Sequence, residues 1–156
     1  MATVKESIEI EAPLQTVYNQ WTQFEEFPRF MEGVKSVKQL DDTHLHWVAE
    51  IGGQEHSWDA EITHQEPDRR VAWRARDGKY VSGEATFEAR GPDVTVLSVE
   101  MTYDHEGLLE AVGSALGFDD RRVKGDLKRF KELVESRGRE TGAWRGEVHQ
   151  GEVTSR

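Results

Sequence analysis

The chain has 156 residues, thirty of them acidic against twenty basic, for a formal net charge of −10 and no cysteine. The charge repels a phosphate backbone, and the densest basic stretch, "DDRRVKGDLKRFK", is diluted by its own acids, so nucleic-acid binding is not expected. The missing cysteines exclude disulfides, thiolate nucleophiles and Cys-based metal sites; no apolar run approaches a membrane span, and "MATVKESIEIEAP" lacks an apolar signal core, which together lead us to expect one cytoplasmic domain.

Residues 4 to 11 alternate, with Val4, Ile8 and Ile10 on one parity and Lys5, Ser7, Glu9 and Glu11 on the other, the pattern of a half-buried strand. Pro13 then suits a first helical turn, and Leu14, Val17, Tyr18 and Trp21 follow at the spacing of one helix face. Pro28 disfavours helical geometry at Phe27, so "QFEEF" reads as a separate short helix and "PRFMEGV" as a turn. Strand-like runs follow at about 34–40, 44–51, 54–65, 69–76, 80–90 and 94–105, and their short turn-rich separators indicate an antiparallel meander.

Parity assigns one face of that sheet to the core. Leu45, Trp47 and Ala49 share it with Trp58, Ala60 and Ile62, then with Val71, Trp73 and Ala75, with Ala85 and Phe87, and with Val99, Met101 and Tyr103; Glu50, Asp59, Arg74, Glu84 and Glu100 take the wet face. The cover comes from about 107–137, where Val112, Leu116, Val123, Leu127, Phe130 and Val134 recur at helical spacing. Residues 138–156, Gly-rich and weakly periodic, read as a flexible tail appended to a domain of residues 1–137; if anything holds that tail, Trp144 is its one large apolar anchor.

Strand, two short helices, six-stranded meander and long C-terminal helix is an order that resembles the helix-grip fold of the START-like (SRPBCC) superfamily. "IEIEAPLQTVYNQWTQFEEFPRFM" is similar to the opening of its polyketide cyclase/dehydrase and coenzyme-Q-binding families, whose "APxxVYxxW" leads to an aromatic turn with "FP". The resemblance implies an α+β fold in which a curved antiparallel sheet of about seven strands grips the long helix around an apolar cavity. It further implies that Phe27, Phe30 and Met31 line or gate a mouth, and that Trp47, Trp58, Trp73, Phe87, Met101, Tyr103, Val112, Leu116 and Asp120 contribute to ligand binding. Aromatase/cyclase members carry an inward arginine on a middle strand; here Ile62 stands nearest that position.

Mixed large and small inward side chains fit either a cavity or a close approach of helix to sheet, and three tryptophans on adjacent strands suit a flat apolar guest. His44 and His46 lie two apart on the outward parity with no third ligand near, so they read as solvated; His56, His64 and His105 share the inward parity near strand ends and read as rim residues. Asp120 reads as a local helix cap or as a ligand contact beside the apolar stripe. No nucleophile motif or phosphate-binding loop occurs, and none calls for a cofactor or metal. The expected role is therefore to bind a hydrophobic small molecule such as a lipid, isoprenoid quinone or aromatic polyketide. The alternatives are a polyketide cyclase/dehydratase using Tyr103, His105 or Asp120 for proton transfer, and a module that takes a protein segment in the same groove; monomer and homodimer both stay open.

Overall fold

Period-two patterning dictates a sheet, and the computed structural model, which describes residues 2–51, 53–75, 82–103 and 120–155, contains a large one. Its elements in chain order are β1 (Ala2–Ile10), α1 (Leu14–Trp21), a 3₁₀ helix (Phe24–Arg29), β2 (Val34–Gln39), β3 (His44–Ile51), β4 (Gln54–Glu66), β5 (Arg70–Ala75), β6 (Ser82–Gly91), β7 (Val94–Tyr103), α2 (Asp120–Arg137), β8 (Glu147–His149) and β9 (Glu152–Ser155). The main path of the sheet is β1-β7-β6-β5-β4-β3-β2, antiparallel at every junction. The first strand thus closes onto the last strand of the meander, and the sheet stays open between β1 and β2. This is the α+β helix-grip arrangement.

The inward parity is the buried one. Leu45, Trp47, Ala49, Ala60, Ile62, Val71, Trp73, Ala75, Ala85, Phe87, Leu97 and Val99 are all buried, while Glu50, Arg74 and Glu100 are exposed. From α2, the faces carrying Val123, Leu127, Phe130 and Val134 complete the core. A one-residue bulge between Ile62 and His64 changes the parity beyond it: His64 pairs Ala72 and Gln65 pairs Val71, so Gln65 turns inward and is buried. His64, expected inward, instead sits beside His149 with ring centroids 6.3 Å apart.

The expected break at Pro28 does not occur. The 3₁₀ helix runs through it to Arg29 with Pro28 in its last turn, and the Phe27 carbonyl then accepts from the amides of both Phe30 and Met31. The bend gathers rings rather than scattering them. Trp21 stands at the centre, its ring centroid 5.1 Å from Phe27, 5.2 Å from Phe130, 6.0 Å from Phe30 and 6.4 Å from both Trp73 and Phe87.

The C-terminal segment is a strap, where composition alone pointed to a flexible tail. Glu140 accepts from Asn19 Nδ2 at 2.8 Å, the Thr141 amide donates to Gln20 Oε1 at 3.0 Å, and the Trp144 amide donates to Thr22 Oγ1 at 3.2 Å. Arg145 donates to Asn19 Oδ1 and Asp68 Oδ2, each at 2.7 Å, with its guanidinium 5.5 Å from the Tyr18 ring centroid. Trp144 docks on the core of its own chain, and Val148 is fully buried. The β8–β9 hairpin then pairs with β4 at His64 and Gln65, just past His44↔Glu61, where the β3 pairing ends. The three polar residues Asn19, Gln20 and Thr22 are buried because the strap supplies their partners.

Glu26 ties the 3₁₀ helix into this network. Burial pushes its carboxyl pKa up, but hydrogen bonds from Thr141, Gln20 and Arg137 outweigh that and hold it below the ordinary value of 4.5. A carboxylate with a lowered native pKa contributes stability that is present above its unfolded pKa and is lost as pH falls through the native one. Glu26→Gln is therefore expected to cost about 1–2 kcal/mol at pH 7 and to flatten the acid limb of stability below about pH 4.5, as measured by denaturant melts across pH.

Candidate functional site

Between the sheet and α2 lies a pocket whose floor is the β3–β5 tryptophans and whose rim is the segment after the 3₁₀ helix. Trp47, Trp58 and Trp73 line it from the sheet, with Val99 and Met101 from β7. Trp21 and Phe30 form a second wall, Met31, Glu32 and Val34 the rim, and Val123, Asp126 and Leu127 the α2 side. Counting its open mouth, the pocket encloses about 730 Å³ between atoms.

The floor is flat for a stated reason. Trp47 and Trp58 are cross-strand partners with rings 5° from parallel and centroids 6.1 Å apart. Trp73 lies over Gly83, where an added Cβ would stand 2.6 Å from Trp73 Cζ2 and 2.9 Å from Met101 Sδ. Gly83 is thus the position that lets both side chains settle on the sheet. Gly83→Ala is expected to push Trp73 and Met101 into the pocket, costing about 1–3 kcal/mol and changing the indole fluorescence, a result that melts and emission spectra check together.

Of the residues expected at a ligand site, Phe30, Met31, Trp47, Trp58, Trp73 and Met101 converge on this one pocket. Phe27 and Phe87 sit behind its wall in the aromatic core, packed against Trp21 at 5.1 and 6.4 Å, and do not line it. Tyr103 ends β7 and Asp120 opens α2, while Val112, Leu116 and His105 lie outside the described residues. Trp21 was legible only as a packing residue, and Glu32 and Asp126 carried no sequence signal beyond polarity. Periodicity placed Val123 and Leu127 on the α2 face toward the core without marking them as pocket residues.

The polar chemistry is sparse. Among the described residues, Glu32 and Asp126 are the only ones with charged side chains that line the pocket. Arg129 stands behind them: its Nε donates to the Phe30 carbonyl at 2.8 Å, and its Nη2 contacts Asp126 Oδ1 and lies 3.8 Å from Glu32 Oε2. His56 lies opposite Ala49 and does not line the pocket. His44 and His46 are on the wet face, bonded to Asp41 at 2.9 Å and Asp59 at 2.7 Å, and among the described residues no cluster of three His, Cys, Asp or Glu is placed to hold a metal. Tyr18, buried under the strap, has its hydroxyl pKa pushed up to about 12 by burial. It stays protonated at neutral pH.

Residues 10–132 match the family model described as polyketide cyclase / dehydrase and lipid transport. The chain belongs to that family. A relative encoded in the melC2-rnhH intergenic region of Streptomyces lincolnensis, an uncharacterized 17.2 kDa protein, is 48% identical over 149 residues, covering 95% of this chain and 99% of its own. A crystal structure from Deinococcus radiodurans is 31% identical with a TM-score of 0.68, covering 86% of this chain and 98% of that one. The Zhui aromatase/cyclase of Streptomyces sp. R1128 superposes with a TM-score of 0.67 at 18% identity, over 92% of this chain and 99% of that one, a likeness of fold alone. Among the described residues, no helix of this polyketide cyclase/dehydrase and lipid transport family member is long and apolar enough to cross a membrane.

Proposed function

We propose that this family member binds a lipophilic small molecule between the concave face of its sheet and α2, and that its chemistry is burial rather than bond-making. The observation that carries the reading is the described lining itself, which is tryptophans, a phenylalanine, valines, a leucine and methionines, with Glu32 and Asp126 as its charged side chains among the described residues. Such a surface gains free energy by removing apolar area from water, at about 25 cal/mol per Å² buried. Ile62, fully buried in the core, stands nearest the position at which aromatase/cyclase relatives are expected to carry an arginine, and it can neither donate a hydrogen bond nor transfer a proton. A guest taken up here is of the lipid, isoprenoid quinone or aromatic polyketide kind, with the rim at Met31, Glu32 and Val34 as its way in.

Native mass spectrometry of protein purified without detergent, followed by solvent extraction, tests this. The expected result is a co-purifying lipophilic mass released on denaturation and unchanged in structure by the protein. A bare protein that also fails to take up added lipids, quinones or polyketides contradicts the reading, and turnover of an added poly-ketone to a cyclised product replaces it with the cyclase.

A further inference from the structure

Trp21 lines the pocket, yet its two neighbours in sequence, Gln20 and Thr22, are each 2% exposed and bonded to the strap. We infer that the strap is a latch on the pocket wall made by α1 and the 3₁₀ segment: Thr141, which is not in the described lining, sets how fast a guest enters and leaves. The inference rests on the lipophilic-binding reading and adds the element that controls access to that site. The family match ends at residue 132, so membership of the family gives the strap no role.

Two runs of contacts lead from the strap to the wall. In the first, the Thr141 amide donates to Gln20 Oε1 at 3.0 Å, Gln20 Nε2 donates to Glu26 Oε2 at 3.1 Å, and the Thr141 hydroxyl donates to the same carboxylate oxygen, so one strap residue ties α1 to the 3₁₀ helix. Glu26 directly precedes Phe27, whose carbonyl accepts from the amides of Phe30, in the pocket wall, and Met31, at its rim. In the second, the Trp144 amide donates to Thr22 Oγ1 at 3.2 Å, and that hydroxyl donates to the Asn19 carbonyl at 2.5 Å, closing the end of α1 beside Trp21. The rings of Trp21 and Phe30, 6.0 Å apart, then form one packed unit. Moving that unit to widen the mouth strains bonds to an ionised carboxylate, which are stronger than bonds between neutral groups, and draws the buried Gln20 and Thr22 away from their partners. A gate that must open for passage in either direction slows entry and exit by the same factor and leaves the binding equilibrium unchanged.

Stopped-flow fluorescence of N-phenyl-1-naphthylamine binding to the full chain reads both rates. Thr141 is exposed, so Thr141→Val removes the hydroxyl at nearly constant volume without disturbing the core. It is expected to raise the association and dissociation rates together, each about fivefold, with the dissociation constant changed by less than about twofold. Thr141→Ser, which keeps the hydroxyl, is expected to leave both rates within about twofold of the unaltered chain. Lost stability alone has a different signature, slower association with weaker binding, because a smaller share of the chain is competent to bind. That signature in Thr141→Val, or rates that Thr141→Val leaves unchanged, overturns the latch while leaving the lipophilic pocket in place. Failure of the probe to bind the unaltered chain overturns the latch and, if the lipids, quinones and polyketides of the mass-spectrometric test also fail, the lipophilic reading with it.

Discussion

Cutting the chain after Arg137 is expected to lower its stability by at least about 3 kcal/mol, from the burial of Val148 and part of Trp144 together with the hydrogen bonds of the strap. For a domain of this length that corresponds to a melting temperature lower by about 6–12 °C. The loss falls in a particular place. Asn19, Gln20 and Thr22 lose partners on the strap, Gln65 loses the cover of β8, and Glu26 loses Thr141. Hydrogen exchange is therefore expected to rise over α1 and the 3₁₀ helix and to stay unchanged in β6 and β7. An unchanged melt would show that the strap adds no net stability.

Trp21→Ala is expected to be the most damaging single substitution in the candidate site, at about 3–5 kcal/mol, because it leaves a cavity amid five rings from α2, the sheet and the 3₁₀ segment. Trp21→Phe is expected to cost at least about 2 kcal/mol less, since it keeps most of the ring and also removes a buried indole N–H that has no hydrogen-bond partner among the described residues. Urea denaturation of both variants measures the difference. Equal losses would mean that the indole N–H has a partner and that ring packing is not the main term.

Much of the sheet was legible because each strand alternates cleanly, and side chains on a half-buried strand have few other ways to be satisfied. Trp47, Trp58, Trp73 and Met101 were placed on the correct face by parity alone. What parity could not carry was the bulge at Ile62–His64, a one-residue insertion that leaves no compositional trace and exchanges His64 for Gln65 on the inside. Phe27 and Phe87, which the resemblance placed at the ligand site, pack against Trp21 at 5.1 and 6.4 Å and are absent from the described lining. The strap was missed because its order comes from partners about 120 residues away in sequence, such as Asn19 for Glu140. One local signal was there to be read: "EVHQGEV" is a two-residue hairpin whose turn residues Gln150 and Gly151 both have positive φ, 52° and 82°, the geometry that glycine permits at low cost.

The five indole N–H resonances of the tryptophan-labelled protein give a direct view of the pocket, since Trp21, Trp47, Trp58 and Trp73 line it and Trp144 docks elsewhere as an internal control. Titration with a neutral lipophilic probe, N-phenyl-1-naphthylamine, is expected to move the first four signals together with one binding constant and to leave that of Trp144 in place. Saturable binding that moves Trp144 alone, or that moves none of the four, would contradict a ligand site between the sheet and α2.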